Sequence, residues 1–183
     1  QNQIRVLRGT GQGIFSWILP YIDVNAPIAT CPGDFDGDGD NDFVALCNTG
    51  NATFYKNEGS STFTPSGSTA INVPAAIRNI VGDIDNDGDL DLYLVNHPWN
   101  QSEANNLNVV YNEKGEIELK KPADYSFISD RLYENTGNHF TDITRKAGVE
   151  DDAFGLSAVI GDFNNDLRPD IYVGNDYVKP DFL

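Results

Sequence analysis

The sequence is poor in basic residues, histidine and cysteine. Its 183 residues include 12 lysines or arginines, 2 histidines and 2 cysteines, against 28 acidic residues, and its formal net charge is −16. A chain this acidic is a poor partner for nucleic acid or for an anionic membrane. No apolar run approaches the roughly 20 residues that a membrane-spanning helix needs. These absences exclude the common nucleic-acid-binding and membrane-spanning classes.

The common catalytic motifs are also missing. The sequence contains no Gly-x-Ser-x-Gly, no His-Glu-x-x-His and no phosphate-binding glycine loop. Neither His97 nor His139 has a cysteine or histidine at metal-binding spacing, so both are expected in surface or packing positions. Because the abundant carboxylates are accounted for by the repeated loops described next, we predict that the chain is not an enzyme.

The chain contains an acidic loop that is repeated three times. In each copy positions 1, 3 and 5 are Asp or Asn, and the ninth position is Asp. The copies are loop 1 (residues 34–42), loop 2 (residues 83–91) and loop 3 (residues 162–170). Each is followed by a short apolar run rich in β-branched and aromatic residues, which is typical of a buried strand. A single copy could be a solvated turn, but three copies in register favour a shared function.

Metal binding explains why so many carboxylates are close together. Two unit charges about 4 Å apart repel by roughly 4 kcal/mol at an effective dielectric near 20, and a divalent cation reverses the sign. Alternating Asp or Asn ligands, a glycine turn and a carbonyl at position 7 suit calcium. The predicted metal-binding residues are Asp34, Asp36, Asp38, Asp40 and Asp42 in loop 1, Asp83, Asp85, Asp87, Asp89 and Asp91 in loop 2, and Asp162, Asn164, Asp166, Arg168 and Asp170 in loop 3.

An EF-hand starts in the same way but needs a glutamate at position 12 and a helix after it. Position 12 is Ala45, Leu94 and Val173 in the three loops, within strand-like runs. The aspartate at position 9 is therefore expected to close the cage, with each loop joining two strands. Loop 3 departs from the pattern, because position 3 is the neutral Asn164 and position 6 is Leu167, which resists positive φ. We predict calcium at loops 1 and 2, and the weakest site at loop 3.

Two cysteines, Cys31 and Cys47, flank loop 1. If the flanking strands pair as a hairpin, the thiols are expected to face each other, and a disulfide would indicate an oxidising compartment. The alternative is that both are small buried residues. Extracellular modules bind calcium at about 10⁻⁴–10⁻³ M, which suits loops of this kind, and Gln1 is compatible with a mature end left by removal of a signal peptide. We therefore expect a secreted, extracellular or cell-surface protein.

The order of elements predicts an all-β fold. Each unit reads strand, acidic loop, strand, strand, turn, strand, and four antiparallel strands in about 50 residues are typical of a β-propeller blade. The predicted single domain, residues 1–183, comprises a half blade (1–27), a blade (28–76), a blade (77–153) with an insertion at about 97–130 that holds a small hairpin, and a half blade (154–183). Propellers close with about four to eight blades. About three blades indicate either part of a longer propeller or open halves that complete one another between chains.

The loops and two Tyr-x-Asn-x-Gly hairpins, which begin at Tyr55 and Tyr133, resemble the FG-GAP/VCBS repeat family. The resemblance covers about residues 28–183, and that repeat is the blade type of integrin α-subunit propellers. Residues 131–183 are also similar to bacterial secreted proteins related to cartilage acidic protein. The resemblance implies an extracellular, calcium-stabilised module whose ligands lie at loop positions 1, 3, 5 and 9.

The predicted function is adhesion, recognition or extracellular assembly, with calcium in a structural role. The expected partners are an extracellular protein, a glycan, or another copy of the chain at open blade edges. The alternative is a carbohydrate-binding, lectin-like propeller or an accessory domain of a polysaccharide-acting enzyme. Aromatic residues stand beside lysines in the insertion, among them Trp99, Tyr111, Tyr125 and Phe127. They suit either the binding of a partner or a sugar, or the covering of the propeller's own flank.

Overall fold

The computed structural model describes most of the chain. The described residues are 2–48, 51–60, 62–66, 71–72, 76–97, 109–119, 129–137, 139–150, 153–176, 180–181 and 183. Trp99, Tyr125 and Phe127 of the insertion lie outside them. Within the described residues, no helix has both the length and the apolar character needed to cross a membrane.

Strands make up nearly all of the regular structure. They are β1 (Gln3–Ile4), β2 (Leu7–Gly11), β3 (Ile14–Trp17), β4 (Ile22–Asp23), β5 (Pro27–Gly33), β6 (Asp42–Cys47), β7 (Asn51–Asn57), β8 (Phe63–Pro65), β9 (Ile71–Asn72), β10 (Ala76–Gly82), β11 (Asp91–Asn96), β12 (Val109–Tyr111), β13 (Ile117–Leu119), β14 (Arg131–Asn135), β15 (Phe140–Asp142), β16 (Phe154–Gly161) and β17 (Asp170–Asp176). Among the described residues, one short helix, α1 (Thr144–Ala147), follows β15. Every described strand pairing is antiparallel, so the predicted all-β, antiparallel fold is confirmed.

The first sheet has the strand order β5-β6-β7-β8, with β9 paired to β7. All six residues of β6 are buried, because both of its faces are covered. Val44 and Leu46 on one face pack with Phe54, whereas Phe43 and Ala45 on the other face belong to a second cluster. An apolar run buried on both sides is what the sequence predicts after each loop.

The second sheet has the strand order β10-β11-β14-β15, and all six residues of β11 are buried as well. Leu92 and Leu94 join the cluster shared with the first sheet. Tyr93 and Val95 pack with Val173 of β17, which pairs with β16 in a third sheet. The three sheets therefore pack face to face in chain order, and loops 1, 2 and 3 each connect the first two strands of one sheet.

Two glycines show how closely the sheets approach. A Cβ atom on Gly33 would lie 2.5 Å from Leu90 Cδ1, and one on Gly82 would lie 3.0 Å from Ile160 Cγ2. Each glycine immediately precedes an acidic loop. A side chain at either position would therefore push the start of the loop away from the next sheet.

The small hairpin predicted in the insertion is present and forms from β12 and β13. Another hairpin, near the N-terminus, forms from β2 and β3. A pairing of β1 with β4 was not predicted. The remainder of the insertion, at residues 98–108 and 120–128, lies outside the described residues.

The predicted disulfide is wrong, because the register of β5 and β6 separates the two thiols. Cys31 lies opposite Val44, which is three residues along β6 from Cys47, or roughly 10 Å at the usual rise of a strand. Side chains three residues apart on a strand also point to opposite faces. Both cysteines are free, and burial raises the pKa of each thiol. The alternative reading, two small residues in packed positions, is the one that fits.

Candidate metal centres

The three acidic loops share one backbone conformation. In each of them, positions 4 and 6 have positive φ. The angles are 72° and 91° at Gly37 and Gly39, 62° and 97° at Asn86 and Gly88, and 62° and 68° at Asn165 and Leu167. Position 6 is the glycine position expected from the sequence, but position 4 was missed. Its signal was the presence of only Gly or Asn there, the residues that best tolerate the left-handed region.

Side-chain to backbone hydrogen bonds hold this conformation. In loop 2 the Asp87 N–H donates to Asp85 Oδ1 at 3.2 Å, the Gly88 N–H to Asp83 Oδ2 at 3.1 Å, and the Asp89 N–H to Asp87 Oδ1 at 2.9 Å. The corresponding three bonds form in loop 1 and in loop 3. Because the side chains at positions 1, 3 and 5 turn back onto the loop, their oxygens are brought together.

Two of the loops form close carboxylate clusters. One oxygen from each of Asp83, Asp85 and Asp87 lies within 4.8 Å of the others. In loop 1 the same holds for Asp34, Asp36 and Asp42. These two groups are candidate metal centres.

Loop 3 does not contribute a third such carboxylate group among the described residues. Its position 3 is the amide of Asn164, whose Nδ2 donates to Asp166 Oδ2 at 3.3 Å. An amide neutralises no charge on a cation, so loop 3 offers a weaker set of donors.

The aspartate at position 9 has a second role that sequence reasoning missed. Asp91 Oδ2 accepts the Ile84 N–H at 2.8 Å, and Asp91 Oδ1 accepts the Asn135 N–H at 2.8 Å. Asp42 repeats this arrangement with the N–H groups of Phe35 and Asn57, at 3.0 and 2.8 Å. The position 9 carboxylate therefore joins the start of the loop to the third strand of the sheet.

Burial makes this carboxylate hard to ionise. Asp91 is only 1% exposed, and burial raises its pKa to about 6, although the two N–H donors oppose the shift. Burial also raises the pKa of Asp42. A nearby cation would favour the charged form of both groups.

Position 7 was predicted as a ligand through its backbone carbonyl. The side chains at that position, Asp40, Asp89 and Arg168, are not part of the close clusters. In loop 2 the Asp89 side chain instead accepts the Gly137 N–H at 3.0 Å, which ties the loop to the turn between β14 and β15.

The residues that lie beside loops 1 and 2, on the third strand of the first and second sheets, carry opposite charges. In loop 1 the Lys56 ammonium bonds Asp36 Oδ2 and lies 3.1 Å from Asp38 Oδ2. The Asp40 N–H and Lys56 hold the pKa of Asp38 below its usual range, while the two carboxylates raise the pKa of Lys56. In loop 2 the pKa of Asp85 is raised, mainly by burial and then by the negative charges of Asp87, Asp83 and Glu134. Of loops 1 and 2, only loop 1 has a cationic side chain against its carboxylates among the described residues.

Asn135 connects the two centres. Its Nδ2 donates to Phe35 O in loop 1 at 3.1 Å and to Leu90 O in loop 2 at 3.2 Å. Phe35 is fully buried, with its ring edge-on to Phe54 at 5.6 Å and to Phe140 at 6.1 Å. The second residue of loop 1 is therefore part of the contact between the first and second sheets.

Comparison with known protein families identifies one repeat. The model of the FG-GAP-like repeat matches residues 34–94, which contain loops 1 and 2 and the strands between them. This match confirms the resemblance to the FG-GAP/VCBS repeat family over that segment. A search of curated proteins found no match to the chain.

Proposed function

From the FG-GAP-like repeat in residues 34–94, we propose that the chain forms blades of a calcium-stabilised, extracellular β-propeller module. The first and second sheets are complete blades, and their acidic loops hold calcium in a structural role. The module is not an enzyme and serves adhesion, recognition or extracellular assembly with a protein or glycan partner. Its setting is outside the cell, where calcium is abundant.

The observation that carries the proposal is the grouping of three carboxylate oxygens within 4.8 Å in two separate loops. Left alone, these charges repel one another, and a divalent cation converts the repulsion into attraction. Carboxylate oxygens on a flexible loop suit calcium, which takes 6–8 oxygen ligands at about 2.3–2.6 Å.

One buried oxygen supports the fit of the residues to a cation. Asp34 Oδ1 is buried and has no hydrogen-bond partner. A buried acceptor without a donor costs about 1–3 kcal/mol, which a bound cation offsets. In loop 2 the residues that would hold the ion are Asp83, Asp85, Asp87 and Asp91.

A calcium ion in such a loop supports the blade as a whole. Asp91 connects the loop to the third strand, and Asp89 connects it to the following turn. An ion that fixes the loop therefore fixes three strands at once. Because the unfolded chain lacks the preformed cage, calcium binding adds to folding stability, by about 2.7 kcal/mol per site at a calcium concentration 100 times Kd.

Thermal unfolding of the whole chain tests the proposal. Calcium at about 100 times Kd is expected to raise Tm by roughly 5–11 °C per occupied site over a chelator-treated sample. Potassium chloride at matched ionic strength is the control for charge screening, which also stabilises an acidic chain. The same Tm in calcium and in chelator would contradict structural calcium binding.

A groove gives the carbohydrate-binding alternative one supporting observation. It is lined by apolar and polar side chains, among them Tyr21, Asp23, Thr62 and Phe63. An aromatic ring beside polar groups suits a sugar, which presents both an apolar face and hydroxyls. Binding on a glycan array that is lost in Tyr21→Ala and kept in Tyr111→Ala, whose parent residue is 76% exposed on β12, would favour this function.

A further inference from the structure

We infer that Lys56 makes loop 1 a weaker calcium site than loop 2: its ammonium already bonds Asp36 and lies beside Asp38, so calcium fills loop 2 first and enters loop 1 only by displacing Lys56. The inference rests on the proposed function only in that loop 2 is taken to bind calcium. It concerns the residues of this chain, not the repeat in general.

The position of Lys56 is the first observation. Lys56 lies on β7, and its Nζ bonds Asp36 Oδ2 and lies 3.1 Å from Asp38 Oδ2. The Asp36 side chain is 8% exposed and the Lys56 side chain 29% exposed, so the pair is shielded from most of the solvent. An ammonium group is a compact cation with three donors, and here two of the carboxylates at ligand positions face it.

The equivalent position beside loop 2 is the second observation. Tyr55 lies opposite Phe43, the first residue after loop 1, and Tyr133 lies opposite Leu92, the first residue after loop 2. The next residues along β7 and β14 are Lys56 and Glu134, so these two occupy equivalent places. Loops 1 and 2 contain five aspartates each. The substitution alone therefore makes the surroundings of loop 2 more negative by two charges.

The ion pair of Glu134 fits a loop 2 centre that has no cation of its own. The only cation that the structure pairs with it in the described part of the chain is Lys146, with Nζ 3.8 Å from Oε1. The Lys146 side chain is 75% exposed. This pair lies at the surface, and within the described ranges no ion pair neutralises the loop 2 carboxylates.

These contacts set the order of calcium binding. Calcium entering loop 1 must first displace Lys56 from Asp36 and Asp38, and the displaced ammonium stays close to the ion on the same strand. Calcium entering loop 2 meets a more negative surrounding and displaces no cation of the residues that the structure describes. At calcium concentrations that fill loop 2, loop 1 is expected to keep Lys56.

Calcium titration calorimetry of the whole chain tests the inference. At calcium concentrations that fill loop 2 of the wild type, Lys56→Gln is expected to bind one calcium ion per chain more than the wild type. Arg145→Gln is the matched control, since it removes one positive charge from a side chain that is 87% exposed and paired with Glu150 at 3.4 Å. It is expected to bind the same number of ions as the wild type.

A double variant locates the added ion. Lys56→Gln combined with Asp36→Asn is expected to lose it. If Lys56→Gln does not fold in chelator, refolding on addition of calcium, with one ion more than the wild type, also supports the inference. Equal numbers of ions in Lys56→Gln and the wild type would overturn it. A wild-type chain that binds no calcium at all would instead contradict the proposed function, so the two failures are distinguishable.

Discussion

Loops 1 and 2 differ less in backbone than in the residue that faces them. Both have positive φ at positions 4 and 6, and both have a position 9 aspartate that accepts two backbone N–H groups. They differ in the residue on the neighbouring third strand, which is Lys56 for loop 1 and Glu134 for loop 2. The motif therefore determines the shape of the loop, whereas we expect a residue outside the motif to determine how strongly the loop depends on a metal ion.

The third-strand asparagines show a second difference. Asn57 Nδ2 donates to Asn41 O at 3.2 Å within its own sheet. Asn135 Nδ2 reaches Phe35 O of the preceding loop, so it stabilises the contact between sheets. The asparagine of the Tyr-x-Asn-x-Gly hairpin thus bonds within one sheet at Asn57 and between two sheets at Asn135.

The largest expected effect separates the two asparagines. Asn135→Ala leaves the buried Phe35 carbonyl and the half-buried Leu90 carbonyl without this donor, which is expected to cost about 2–4 kcal/mol of unfolding free energy. Asn57→Ala removes a more exposed bond and is expected to cost about 1 kcal/mol. Urea unfolding at fixed calcium measures both, and equal losses would contradict the role of Asn135 between sheets.

The second-largest expected effect comes from placing a lysine beside loop 2, at the position equivalent to Lys56 beside loop 1. Glu134→Lys is expected to remove most of the calcium-dependent stabilisation of loop 2, about 2–3 kcal/mol at 100 times Kd. The measurement is the difference in unfolding free energy with and without calcium. Glu113→Lys, an exposed charge reversal between β12 and β13, is the control and should keep the wild-type difference. A Glu134→Lys protein that keeps the full calcium-dependent difference in unfolding free energy would contradict the proposed difference between loops 1 and 2.

A smaller effect concerns pH. In calcium-free protein Asp91 has a folded pKa of about 6 against an ordinary value of 3.8. The folded state therefore binds the proton more tightly, and this contribution to stability is present below about pH 4 and is lost as pH rises to about 6. We expect a loss of roughly 1–2 kcal/mol over that range.

Bound calcium is expected to reverse the slope, because a cation favours the charged carboxylate. Urea unfolding at pH 4.5 and pH 7, with and without calcium, measures the change, and Asp91→Asn should lack this contribution. The same slope under both conditions would show that no ion approaches Asp91.

The smallest effect tests the strain in loop 3. Leu167 has a φ of 68° and is 85% exposed, so its side chain gains little packing. Leu167→Gly is expected to stabilise the chain by about 1 kcal/mol, since glycine adopts this region freely. The reciprocal Gly88→Ala, at the equivalent position of loop 2, is expected to destabilise by a similar amount, and a destabilised Leu167→Gly would contradict the argument.

Local patterns in the sequence predicted the strands, the short hairpins and the three loops, because each depends on residues that are near one another along the chain. The contacts that depend on strand register were not predicted. Lys56 reaches Asp36 only through the pairing of β6 with β7, and Asn135 reaches Phe35 across 100 residues of sequence. The disulfide prediction was wrong for the same reason, since composition does not reveal that Cys31 faces Val44.

A crystal structure determined with calcium supplied, and with an anomalous difference map, tests the central claim most directly. The account predicts an ion between Asp83, Asp85 and Asp87, with Lys56 still bonded to Asp36 in loop 1. Loop 2 carboxylates turned apart into solvent, with no ion between them, would contradict it.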